Sequence, residues 1–158
     1  MRSQARGVVV LREPLGSDAV RDLVFSLMDA WQSESLDGLA ELLTADARPF
    51  DAHAPGRDAL LEAWRQRLHA HRYNRLGGTD LVRPERIEQW DFDELSPAAA
   101  LPFPARPREM RPGELYVRVP LETTGVAGEK LYGDVIQLLV RREDGKCKIV
   151  AYGETDLR

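Results

Sequence analysis

"DVIQLLVRREDGKCKIVAYGETD", residues Asp134–Asp156, decides how this chain folds. Asp144 and Gly145 tolerate positive φ and stand between two runs rich in Val, Ile and Leu, the signature of a two-residue type I′ hairpin. With those two residues at the turn, Glu143 pairs with Lys146 and Arg142 with Cys147. The ladder then continues through Val140–Ile149, Leu139–Val150, Leu138–Ala151, Gln137–Tyr152, Val135–Glu154 and Asp134–Thr155. Side chains alternate across a strand, so Gln137, Tyr152 and Glu154 are expected to share one face.

Working toward the N-terminus, strands are predicted at about Glu129 to Arg142 and Glu114 to Thr123. The looser "TGVAG" turn between them adds Leu115, Val117, Val119 and Leu121 to the Gln137 face. An apolar concavity holding a few polar groups is the pattern of a small-molecule pocket. The opposite face would carry Tyr116, Arg118, Tyr132, Asp134, Ile136 and Leu138. It is too apolar to face water, so a second subunit is expected to cover Tyr116, Arg118, Tyr132, Ile136 and Leu138 in a homodimer.

Further upstream, "RIEQWDFDEL" alternates like a strand. Between it and Glu114 lies "SPAAALPFPARPREMRPG", Ser96 to Gly113, with five of the ten prolines. Proline removes amide donors and fixes φ, so this stretch reads as a long surface loop, a functional flap or an insertion.

The period before it is helical. Val20, Leu23, Val24, Leu27 and Trp31 follow the i, i+3, i+4, i+7, i+11 spacing of one buried helix face, with Ser17 or Asp18 as cap. "SLDGLAELL" makes a short second helix behind Ser35. A third runs from about Asp58 to His71 with Leu60, Leu61, Trp64 and Leu68 inward. Three helices followed by hairpin-linked strands imply an α+β fold, the helices packed in the concave side of a curved antiparallel sheet. Residues 1–16 are read as an arm and 17–156 as a single domain.

The 158 residues suffice for one core, and 43% hydrophobic with 30% charged residues is ordinary for a globular protein. A net charge of −4 argues against a nucleic-acid partner. Cys147 is the only cysteine, which excludes an intrachain disulfide and a cysteine-rich zinc site and fits a reducing compartment. Neither a secretory leader nor a membrane span is visible, so a cytoplasmic protein with no membrane partner is expected.

The string "AWQSESLDGLAELLTADA" (30–47), then "GRDALLEAWRQRL" (56–68) and the curved strands resemble the nuclear-transport-factor-2-like superfamily, over about Asp18 to Asp156. That group, with its cystatin-like cone, includes ketosteroid isomerase, scytalone dehydratase, limonene epoxide hydrolase and the SnoaL-like polyketide cyclases. Counting from Asp37 and Gly38, the resemblance places the isomerase's catalytic aspartate at Asp51. A carboxylate beside an apolar pocket can accept and return a carbon-bound proton. The isomerase tyrosine, however, is matched by Leu27. A missing oxyanion donor costs on the order of 3 kcal/mol, which argues against steroid isomerisation. Along "RPFDAH", Pro49, Asp51 and His53 lie on one side and Arg48, Phe50 and Ala52 on the other. Asp51 therefore points outward if Phe50 is core, and inward if Pro49 resets the parity.

The resemblance thus implies a cofactor-independent isomerase, cyclase or dehydratase acting on an apolar carbonyl compound. Its base would be Asp51, with His53 as partner and Tyr152 or Gln137 as hydrogen-bond donor. Trp31, Trp64, Trp90 and Glu154 would line the pocket. The alternative is a non-catalytic dimeric binding or assembly module whose proline-rich flap contacts a partner. No metal is expected, because His69 and His71 stand roughly 200° apart around their helix. "RQRLHAHRYNR" reads as a solvated basic face.

Overall fold

The computed structural model describes residues 16–50, 56–76 and 78–157. Most of the expected N-terminal arm lies outside the described residues. Helix α1, Ser17–Gln32, buries the Val20, Leu23, Val24, Leu27 and Trp31 stripe as its spacing requires. Its N-cap is Gly16, which makes no side-chain bond. Asp18 instead sits in the first turn, where the helix dipole favours its charge. Helix α2, Leu36–Glu41, is capped as expected, Ser35 Oγ accepting from Gly38 N at 2.9 Å. Strand β1, Leu43–Pro49, leads toward helix α3, Gly56–Ala70, which buries Leu60 and Trp64. Among the described residues, no helix is long and apolar enough to cross a membrane.

The remaining strands are β2 (Glu88–Asp91), β3 (Leu115–Pro120), β4 (Gly125–Val126), β5 (Glu129–Lys130), β6 (Val135–Glu143) and β7 (Lys146–Thr155). The long strand expected from Glu129 is split: β4 and β5 form their own small hairpin, and β6 starts at Val135. The main sheet has the order β1-β7-β6-β3-β2. It is mixed, because β1 pairs with β7 in parallel while the other pairs are antiparallel. The fold is the expected α+β arrangement of three helices on one side of this sheet.

The turn forms as predicted, with Asp144 at φ 52° and Gly145 at φ 77°. Pairing follows the predicted register from Glu143–Lys146 to Val140–Ile149. It then slips by one at a bulge, so that Leu139 faces Ala151, Leu138 faces Tyr152, Gln137 faces Gly153 and Ile136 faces Glu154. Val150 is the extra residue, and it joins Ala151 opposite Leu139 in one apolar cluster.

A slip of one exchanges faces. The inner face is made of Leu115, Val117, Val119, Ile136, Leu138, Val140, Ile149 and Tyr152, all in the main core with α1 and α3. Ile136 and Leu138, expected on a dimer face, are core residues, because β3 pairs Val119 with Ile136 and Val117 with Leu138 and so shares their face and not that of Gln137; Tyr132, ahead of β6, is buried in the same core. The outer face carries Tyr116, Arg118, Gln137 and Leu139, with Trp90 paired to Tyr116. Trp90 packs there with Leu95, Met110, Tyr116, Leu139, Val150 and Ala151, not in a pocket with Trp31 and Trp64.

Candidate functional site

The polar groups of the inner face converge where α3 meets the C-terminal end of β7. Trp31, fully buried, has the Tyr73 ring at 4.8 Å, Trp64 at 5.4 Å and Tyr132 edge-on at 6.0 Å. Trp64 in turn meets Tyr152 edge-on at 4.8 Å. Such edge and tilted contacts let the positive rim of one ring meet the negative face of another. The guanidinium of Arg67 lies over the Trp31 ring, 4.6 Å from its centroid.

Arg67 is placed by helical spacing. It follows Leu60 by seven residues and Trp64 by three, so it shares their inward face. Its Nη1 donates to Glu154 Oε2 at 2.6 Å, its Nη2 to the Leu131 carbonyl at 2.7 Å and its Nε to the Tyr73 hydroxyl at 2.9 Å. The Tyr73 hydroxyl in turn donates to the Leu131 carbonyl at 2.9 Å. Glu154 also accepts from the Tyr152 hydroxyl at 2.5 Å and from the Gly133 amide at 2.7 Å. The pair is mostly shielded, with 28% of the Arg67 side chain and 14% of Glu154 exposed.

These partners set the chemistry. Burial pushes the Tyr152 hydroxyl well above the usual tyrosine range, and the adjacent Glu154 charge adds to it. Burial also raises Tyr73 and Tyr132. All three hydroxyls therefore keep their protons at neutral pH. The Glu154 carboxylate already accepts from an arginine, a phenol and a backbone amide, so its oxygens are occupied by partners within the chain. Trp31 Nε1 is the exception, a buried donor with no partner among the described residues.

Of the expected pocket residues, Tyr152, Glu154, Trp31 and Trp64 are thus brought together. Gln137 is not: the slip sends it outward, where its Oε1 accepts from the Tyr116 hydroxyl at 2.6 Å. Asp51 and His53 lie outside the described residues. Arg67, Tyr73 and Tyr132 complete the cluster without having been expected there. The signal for Arg67 was its spacing from Leu60 and Trp64, hidden in a stretch that reads as uniformly basic.

Two other places hold polar groups. A surface cavity of about 670 Å³ is lined by Leu43, Ala45, Gly56, Arg57, Asp58 and Ala59. Its arginine is turned back, Nη2 donating to the Ala40 carbonyl at 2.9 Å and so tying α3 to α2. His71 contacts Glu129 through Nδ1, and Arg75 reaches the same carboxylate at 3.3 Å. Among the described residues, no three His, Cys, Asp or Glu side chains are grouped to hold a metal ion.

No family model matches the chain, and no curated protein matches its sequence. Solved structures do match its fold. An NTF-2-like protein from Shewanella oneidensis MR-1 superposes with a TM-score of 0.52 at 16% identity, over 90% of this chain and 100% of that one. A protein with a cystatin-like fold from Caulobacter vibrioides superposes with a TM-score of 0.50 at 16% identity, over 90% of each chain. At such identities the likeness is one of architecture.

Proposed function

With the NTF2-like fold as its scaffold, we propose that this chain is a non-catalytic binding module that works through its proline-rich segment and not through the interior of the cone. The observation that carries this reading is an interior that, among the described residues, is filled by the chain's own side chains. Trp31, Trp64, Tyr73, Tyr132 and Tyr152 are each almost fully buried against one another, and Arg67 and Glu154 are engaged by each other and by Tyr73, Leu131, Tyr152 and Gly133. A working general base needs a free lone pair facing its substrate. Outside the cone, the segment from Ser96 to Gly113 carries Leu101 at 94% exposure and Phe103 at 41%. Backbone bonds between Ala100 and Phe103, 3.1 and 2.8 Å, close the turn that displays them.

A second reading, a small-molecule binder with acid–base activity through Asp51 and His53, is favoured by Trp31 Nε1. An unpaired buried donor costs about 1–3 kcal/mol, and a ligand acceptor would recover it.

One thermal-shift experiment separates the two. Apolar carbonyl compounds are screened against the wild type and Trp31→Phe. The module reading expects no saturable shift in either. A compound that stabilises the wild type by mass action and loses its effect in Trp31→Phe overturns it. In the same assay Leu101→Asp with Phe103→Ser should leave Tm unchanged, since the tip contributes nothing to the core.

A further inference from the structure

Within the proline-rich segment the chain builds a finger. Two backbone rungs tie its legs together. The Arg106 amide donates to the Ser96 carbonyl at 2.7 Å, and Ala100 and Phe103 exchange bonds of 3.1 and 2.8 Å around a turn centred on Leu101 and Pro102. The lower rung is anchored. The Arg106 guanidinium lies 3.7 Å above the Phe92 ring, and its Nη2 donates to the carbonyls of Phe92 at 2.9 Å and Leu95 at 2.6 Å. Leu95 and Met110, to either side, are seated on the outer face of the sheet. Above that rung the residues from Pro97 to Phe103 are all exposed, and none has a polar side chain.

Backbone, shape and charge together indicate what the finger fits. Pro102 and Pro104 have no amide hydrogen, and the amides of Ala100 and Phe103 are used on each other. From residue 100 to 104 the turn therefore leaves only the Leu101 amide open. A hydrocarbon phase penalises every open donor, whereas water and polar protein surfaces do not, so a turn closed in this way suits the hydrocarbon. The exposed run also consists of three alanines and two prolines around only two large side chains, Leu101 and Phe103. It offers apolar area more than shape, and a bilayer takes up area without requiring shape. Around the base, Asp91, Asp93, Glu94 and Glu109 stand against Arg106, Arg108 and Arg111, four acids to three arginines. This near balance selects neither a nucleic acid nor a strongly charged protein.

We propose that the finger inserts its tip into the surface of a lipid bilayer, a partner assignment that rests on the proline-rich segment being the working surface of the binding module. The four residues from Ser96 to Ala100 reach at most about 14 Å when extended. Segments that lie in a membrane interface bury about 5–10 Å of their depth. The tip thus reaches the acyl boundary while Arg106, on the lower rung, stays among the headgroups. Because the rungs hold the finger in shape beforehand, entry costs little ordering. Two large side chains give a foothold weaker than one myristoyl chain, so the contact is reversible and reads out at millimolar lipid.

The test is flotation with vesicles of phosphatidylcholine alone and of phosphatidylcholine and phosphatidylserine three to one. The wild type should float with both, to a similar extent at low and high salt. Burying a large apolar side chain is worth about tenfold or more in partition, so Leu101→Ser with Phe103→Ser should lower it at least about tenfold with Tm unchanged. Phe103→Trp places a reporter at the tip, which brominated lipid should quench beyond any effect on the wild type. A wild type that floats with neither vesicle overturns the proposal and leaves a protein groove as the partner of the tip. So does a folded double variant that floats as well as the wild type, binding that needs phosphatidylserine and is lost in salt, or a Phe103→Trp chain that floats unquenched. The binding-module reading falls separately, to an interior ligand whose thermal shift Trp31→Phe abolishes.

Discussion

Replacing Arg67 by Met tests whether the interior network is structural or is held ready for a ligand. Methionine keeps most of the aliphatic stem that packs on Trp31 but removes the bonds to Glu154, Leu131 and Tyr73. Removing one partner of a buried ion pair costs about 3–5 kcal/mol, because the other charge stays behind uncompensated. Glu154 would keep the Tyr152 hydroxyl and the Gly133 amide, which points to the lower figure, about 3 kcal/mol. For a chain of this size that lowers Tm by about 6–12 °C. Adding Glu154→Gln removes the stranded charge and should recover at least about 1 kcal/mol, a coupling a double-mutant cycle resolves. The assay is urea and thermal denaturation of the wild type, both single variants and the double variant. Polar groups kept for function commonly lower stability, so their removal is neutral or stabilising. An Arg67→Met chain with an unchanged or higher Tm would refute the structural reading and, with it, the argument that the cone is simply filled.

Two further outcomes follow from buried groups elsewhere. Burial pushes the Cys147 thiol up to about 11, against the pull of the Arg142 charge paired opposite it. At mildly alkaline pH it should therefore react with a disulfide reagent roughly a hundredfold more slowly than an open cysteine and catch up on unfolding; equal rates in the folded and unfolded chain would contradict this. Glu114, only 5% exposed, has its carboxyl raised above the ordinary 4.5 by burial, although the Arg111 amide at 2.9 Å and the Arg141 and Arg48 charges hold it back. The folded chain then binds this proton more tightly than the unfolded chain, so its contribution to stability falls as pH rises from about 4.5 through the raised value. Glu114→Gln should gain on the wild type across that window in a series of urea melts, and a difference that does not vary with pH would sink the assignment.

The parts of the fold legible in the sequence are those with a local cause. The α1 stripe, the Ser35 cap and the Asp144–Gly145 turn each need only a few neighbouring residues to act. The bulge is of a different kind. Ile149, Val150 and Ala151 are all small or apolar and suit either face of a strand, so no residue in the run marks where the alternation breaks. The proline-rich stretch was readable as something other than a strand, since proline cannot donate to a ladder. Where it lies was not, because Leu95 and Met110 meet the sheet only in three dimensions. The parallel pairing of β1 with β7 was hidden likewise, as it joins segments from opposite ends of the chain.

That one bulge also explains why the expected site was partly right. Tyr152 and Glu154 are two apart and both follow the slip, so they stay together on the inner face, while Gln137, on the other strand, is left behind with Tyr116. The inner face then contains a carboxylate among aromatic rings. A charge so placed requires a partner of opposite sign, or it gives up its charge. The helix facing it offers one cation at the right spacing, Arg67, on the buried stripe of an otherwise exposed basic stretch. Once the register is known, the inward arginine follows from the glutamate. Without it, the same arginine is indistinguishable from Arg65, two residues earlier, which pairs with Glu62 on the surface.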